Sequence, residues 1–132
     1  MNLRKRRIQL AKSQADWKKR HPIRAKRCIN RYMRSPFGRF SQSKYRAKKR
    51  GIIFTLTFDQ FSNLIKQPCF YCKSKPNSNT TGFWLDRLNN KKGYITNNVV
   101  PCCKICNVMK NNLSFNEFKE HISKIVTILK LA

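Results

Sequence analysis

Two cysteine pairs carry the plainest chemistry in this chain of 132 residues: Cys69-x2-Cys72 and Cys103-x2-Cys106, thirty residues apart. A two-residue gap lets both sulfurs of a tight knuckle face one ion, and two knuckles complete the tetrahedral four-thiolate shell that suits Zn2+. An ion with four protein ligands is closed to water, so it holds structure and does no catalysis. Cys102 competes with Cys103 for its place, but its three-residue gap to Cys106 fits a knuckle less well, and neighbours on an extended chain point to opposite sides. Cys28 stands apart and is expected as a small core residue.

A second constellation lies in WLDRLNNKKGYITNNVVPCCKICN, Trp84 to Asn107, with one acid (Asp86), an arginine directly after it (Arg87) and five asparagines. Carboxylate and amide oxygens are hard ligands for Mg2+ or Mn2+. Arginine is a bidentate partner for phosphate. Each residue also has a structural reading: Asp86 as a hydrogen-bonding residue at a hairpin end, Asn107 as the cap of the helix after the second knuckle.

The elements that position these groups are legible from pattern. Ile52 to Phe54 suggest a short strand, and Thr57 with Gln60 forms a capping box ahead of a helix carrying Phe58, Phe61, Leu64 and Ile65. Phe83–Leu88 reads as a strand, residues 89–93 as a turn, Tyr94–Val100 as the return, and a helix begins near Lys104. Ser114 with Glu117 is a second capping box, opening a helix with Phe115, Phe118, Ile122, Ile125, Val126 and Leu129 on one face. The two capped helices are expected to close over the segment between them.

Charge divides the chain. The formal net charge is +25, from 30 Lys and Arg against five Asp and Glu. Residues 1–50 hold nineteen of those cations and a single acid, Asp16. His21-Pro22 and Ser35-Pro36 are breaks, bracketing a helix whose apolar face carries Ala25, Cys28, Ile29, Tyr32 and Met33. A further basic helix runs through Arg50 to a stop at Gly51. Such an excess calls for a polyanion, and nucleic acid is the expected partner. Arg4, Lys5, Arg6, Arg7, Lys18, Lys19, Arg20, Arg46, Lys48, Lys49, Arg50 and Lys110 are the expected phosphate contacts. Two domains are expected: residues 1–50, a basic helical nucleic-acid-binding extension, and residues 51–132, a zinc-bound domain.

No apolar run is long enough to span a membrane. The basic start lacks the apolar block of a secretory signal, although an Arg-rich mitochondrial address would look similar. The cysteine pairs suit a reducing intracellular compartment, cytoplasm, nucleoid or organelle matrix, better than a disulfide framework.

With CFYC at 69–72, LDRLNNKKGY at 85–94 and NNVVPCCKICNVMK at 97–110, the chain resembles the HNH endonuclease superfamily. The likeness is to the zinc-bound branch with two CxxC pairs, common among phage and mobile-element proteins. The resemblance covers about residues 37–128 and is most specific across 69–110. It implies an α+β fold, a ββα-metal (HNH or His-Me finger-like) domain with flanking helices. It implies that Asp86 and Asn107 hold one catalytic divalent ion, Mg2+ or Mn2+, and that Asn98 braces the hairpin.

Arg87 departs from the pattern, since most of the superfamily has a histidine general base there. Arginine does not deprotonate at a working pH. It can clamp the scissile phosphate instead, and the base then has to come from solvent or another group. Asn89, where this branch often carries Asp, is a second departure. The resemblance therefore implies a metal-dependent DNA endonuclease. The alternative is an inactive HNH-fold zinc protein that binds RNA or DNA, for example within a ribosome or other ribonucleoprotein assembly.

Overall fold

Proline and glycine punctuate the basic half as the sequence suggests. In the computed structural model, which describes residues 2–77 and 82–131, α1 (Leu3–Arg20) starts on Asn2, whose side chain accepts the Arg4 N–H. α2 (Pro22–Arg34) carries Pro22 in its first turn, where the missing N–H has no intrahelical partner to lose. α3 (Pro36–Lys49) is followed by Gly51 at φ 64°, the left-handed conformation in which helices commonly stop.

By compactness the chain divides into two units, Met1–Ser35 and Pro36–Ala132. Within the first, α1 has no buried residue and α2 buries Ala25. Cys28, expected in a core, is exposed instead, as are Ile29, Tyr32 and Met33 on the same face. A helical stripe fixes which residues share a face; burial needs a packed neighbour as well.

The second unit is built on two sets of aromatic rings. Phe40 of α3 meets Phe54, and meets Phe58 and Phe61 of α4 (Phe58–Ile65), with ring centroids 5.5 to 5.7 Å apart. α4 opens on the Thr57–Gln60 capping box. Two short antiparallel strands follow, β1 (Trp84–Arg87) and β2 (Val99–Cys102), with Asp86 opposite Val100. Then come α5 (Lys104–Lys110) and α6 (Phe115–Leu129), the latter opening on the Ser114–Glu117 capping box. The second ring set joins α6 to the first knuckle: Phe118 lies 5.4 Å from Tyr71, and Phe115 lies 5.8 Å from Phe70.

Six helices and one two-stranded antiparallel sheet among the described residues make the fold α+β. The strands are shorter than the apolar pattern suggests. Ile52–Phe54 contributes a single parallel bridge, Phe54 to Tyr94, and Thr96–Asn98 is a 3-10 turn. The reason is Asn98, whose side chain supplies hydrogen bonds that a longer ladder would otherwise supply. Its amide donates to the carbonyls of Asn89 and Gly93, and its oxygen accepts the Asn89 N–H.

β1 is tied to α4 and α3 at one point. The Phe83 N–H donates to the Ile65 carbonyl at 2.7 Å, and the buried Arg39 of α3 donates to the carbonyls of Gly82 and Phe83. Gly82 sits at φ +103°, and a Cβ there would lie 2.1 Å from the Ile65 oxygen. Gly82→Ala is therefore expected to cost about 1–3 kcal/mol of stability through backbone strain and clash. A thermal melt reads this directly, and an unchanged melting temperature would contradict it.

Candidate metal centre and nucleic-acid cleft

Four of the six cysteines converge. The sulfurs of Cys69, Cys72, Cys103 and Cys106 all lie within 4.8 Å of one another, while Cys102 stays outside the group, its thiol directed to the Cys103 carbonyl. Alternation along the end of β2 separates the neighbours, turning Cys103 to the cluster. Bonds of about 2.3 Å to a tetrahedral Zn2+ put sulfurs about 3.8 Å apart. Cys72 and Cys103 stand at 3.8 Å.

Backbone donors already face these sulfurs. The Cys103 N–H points at Cys69 Sγ and the Cys106 N–H at Cys103 Sγ, both at 3.4 Å. Cys72 is held down to about 6, first by hydrogen bonding with the Ser74 hydroxyl and then with the Ser74 backbone. Burial pushes both Cys102 and Cys106 well above the usual thiol range, so it is the direction of the Cys102 thiol, toward the Cys103 carbonyl, that separates it from the ligand set. The cluster fits a four-thiolate zinc site in distance, donor type and preparation.

On the other side of the hairpin lies a cleft of about 510 Å3. Asp86 and Arg87 of β1 line it together with Asn107 of α5, and Arg46 and Arg50 face it from the end of α3. Asn107 is not the helix cap, because α5 begins three residues earlier at Lys104 and is capped by Cys103, whose sulfur accepts the Cys106 N–H. The side chain is exposed and available to the cleft.

Asp86 is 7% exposed and does not stand alone. Lys110 Nζ reaches its two oxygens at 3.3 and 3.1 Å, and the Tyr71 hydroxyl donates to Oδ2 at 2.6 Å. Lys110 also donates to the Arg87 carbonyl at 2.9 Å. Burial first, and then the hydrogen bond to Asp86, raise Tyr71 far above an ordinary phenol, so it remains a donor.

Lys110 was expected on the nucleic-acid surface and is instead wholly buried. Helical spacing carried the signal: Cys106 and Lys110 are four apart and share the inward face, whereas Lys104, Asn107 and Asn111 share the cleft face.

A carboxylate has about four lone-pair positions. Three are engaged here, two on Oδ2 and one on Oδ1. One position on Oδ1 is left over, and Asp86 lines the same cleft as Asn107. One carboxylate oxygen and one amide oxygen fit a divalent ion of the Mg2+ class that takes its remaining ligands from water and phosphate.

Arg87 has two attachments. Nη1 donates to the carbonyls of Asn90 and Lys92 at 2.9 and 3.0 Å, and the guanidinium lies 5.3 Å from the Tyr94 ring centroid. Of five donors, Nε and Nη2 hold the other three. Asn98 makes the hairpin-bracing bonds described above. Asn89 uses its side-chain oxygen on the Lys91 N–H, an Asx turn, and does not line the cleft.

Among the remaining candidates, Lys48 and Lys49 are exposed on α3, and Lys49 lies 5.4 Å from the Tyr45 ring. Arg4, Lys5, Arg6, Arg7, Lys18, Lys19 and Arg20 are exposed along α1 in the first unit. His121 is exposed on α6 and does not line the cleft, and His21 belongs to the first unit. Residues that pattern reading passed over are Tyr71, Trp84, Tyr94 and Arg39.

A short antiparallel hairpin, the helix that follows it and a four-cysteine cluster at the end of β2, together with the structural likeness below, support a zinc-binding HNH-type domain. The structural likeness is to the rare-cutting HNH restriction endonuclease PacI, with a TM-score of 0.53 and 25% identity over 74% of this chain and 82% of that one. In sequence, the chain is 34% identical over 108 residues to an uncharacterized protein of Acanthamoeba polyphaga mimivirus. The match takes in 82% of this chain and 20% of that relative, so the chain spans about a fifth of its length. No protein-family model matches the chain. No helix among the described residues is long and apolar enough to cross a membrane.

Proposed function

We propose that the chain is a metal-dependent endonuclease that hydrolyses phosphodiester bonds in DNA at the cleft between β1, α5 and the end of α3. The observation that carries this reading is the convergence of Asp86, Asn107 and Arg87 on one cleft whose other charged walls are Arg46, Arg50 and Lys104. Asp86 and Asn107 would hold a divalent ion, which when bound supplies charge neutralisation at the phosphate and a more acidic water.

The rest is done by the chain. Lys110 and Tyr71 fix the Asp86 carboxylate so that Oδ1 keeps a set orientation. Arg87, anchored through Nη1, offers the donors of Nε and Nη2 to a phosphate oxygen. To an approaching polyanion the cleft presents cations and amides, because its acid is already paired. Residues 1–50 act as the extension that holds the nucleic-acid backbone, each neutralised phosphate adding about 0.9 to the log-log salt slope on duplex DNA.

Purified protein incubated with supercoiled plasmid and Mg2+ or Mn2+ is expected to nick it. Asp86→Ala and Asn107→Ala should lower the rate by at least the roughly hundredfold that loss of even an outer partner of a metal ligand can cost. A second reading is favoured by the absence of a histidine beside Asp86 and by the commitment of Arg87 to the turn. In that reading the fold binds nucleic acid, DNA or RNA, without cutting it. Equal inactivity of wild type and variants, with tight binding retained, would establish it and defeat the first.

A further inference from the structure

Trp84 is unusual for the first residue of a strand beside a metal-stabilised core, because it is 42% exposed. The indole lines the same cleft as Asp86, two residues along β1, and Tyr94 lines it as well. Both rings are backed by guanidinium groups. Arg39 lies 4.6 Å from the Trp84 centroid and Arg87 lies 5.3 Å from that of Tyr94.

Neither cation is free to swing away. Arg39 is buried and donates to the carbonyls of Gly82 and Phe83, and Arg87 donates to those of Asn90 and Lys92. The indole is thereby held as a fixed plate, with part of its surface open, next to the positions proposed to bind phosphate. A fully paired duplex keeps its base faces inside the stack and has nothing to lay on such a plate. An unpaired base has a free π-face, and stacking on an aromatic ring beside a cationic groove is how single strands are held.

We propose that Trp84 is a stacking platform for an unpaired nucleobase, so that the cleft takes DNA with a single-stranded or locally opened segment at the bound phosphate. This deepens the reading of the cleft as a nucleic-acid site and is independent of whether the bond is cut.

The test measures binding with Ca2+ present, in place of the Mg2+ or Mn2+ of the nicking assay, on a Trp17→Phe background so that Trp84 is the remaining indole. The probes are a labelled DNA single strand, a duplex with a central mismatch and the fully paired duplex. Trp84 emission is expected to be quenched by the first two and much less by the third. Trp84→Ala should weaken binding to single-stranded and mismatched DNA by about tenfold while changing paired-duplex binding by no more than about twofold. Trp84→Phe should keep most of the affinity.

Equal quenching by all three probes would overturn the proposal, as would a Trp84→Ala loss that is the same on all three. If the alanine variant does not fold, the quenching and the Phe variant still decide. Nicking of plasmid without this discrimination would sink the platform and leave the nuclease. Discrimination without nicking would do the reverse.

Discussion

Chelating the metal from the zinc-loaded protein is expected to unfold residues 36–131 as a unit, with loss of near-UV ellipticity and of the cooperative melt. The four-cysteine cluster joins the first knuckle, the end of β2 and the start of α5. Apparent binding energies of roughly 10–16 kcal/mol at such sites exceed the whole stability of a small domain, so their loss decides the outcome. Cys103→Ala should give the same result without a chelator, whereas Cys102→Ala should keep one zinc per chain and lose only packing, about 1 kcal/mol. Metal content measured alongside circular dichroism checks both. A chelated protein that keeps its melting transition would defeat the structural role.

The second large effect is expected at Lys110. Lys110→Met leaves the Asp86 carboxylate in place without its cation, and removing one partner of a buried pair costs about 3–5 kcal/mol. Replacing both residues, as Asp86→Leu with Lys110→Met, removes the stranded charge and should cost less than the sum of the two single changes by about 2 kcal/mol or more. Urea unfolding of the four proteins, with zinc content verified in each, measures this coupling. Strict additivity would mean that the 3.1 Å contact carries no energy.

Much of this domain is written locally in the chain. The capping boxes at Thr57 and Ser114 form as their sequences require, because such a box is closed by residues three apart and needs nothing distant. The four metal-facing cysteines were legible for the same reason, each knuckle being a local turn. Strand ends were not: the return strand read from Tyr94 to Val100 is broken by a 3-10 turn at Thr96–Asn98, where the Asn98 side chain bonds to residues 89 and 93. Asp86, Arg87 and Asn107 were readable as chemistry, and their meeting in one cleft follows from the hairpin and α5. Partners that reach across the fold were hidden. Tyr71 and Lys110 meet Asp86 from fifteen residues before it and twenty-four after it. Lys110 looked like surface charge because composition favours that reading wherever lysine is abundant. Cys28 shows the converse error, a helical stripe taken for a core.

Cys103 serves two structures with one atom. Its sulfur belongs to the metal cluster and also accepts the N–H that starts α5, the helix on which Asn107 stands. The side chain that helps hold the ion thus also caps the helix that brings Asn107 to the cleft, so the metal cluster and the amide wall of the cleft are coupled through one sulfur. On the nuclease reading proposed above, loss of zinc would leave the cations of α1 and α2 in place while loosening the wall that carries Asn107: a polyanion binder without its cutting site.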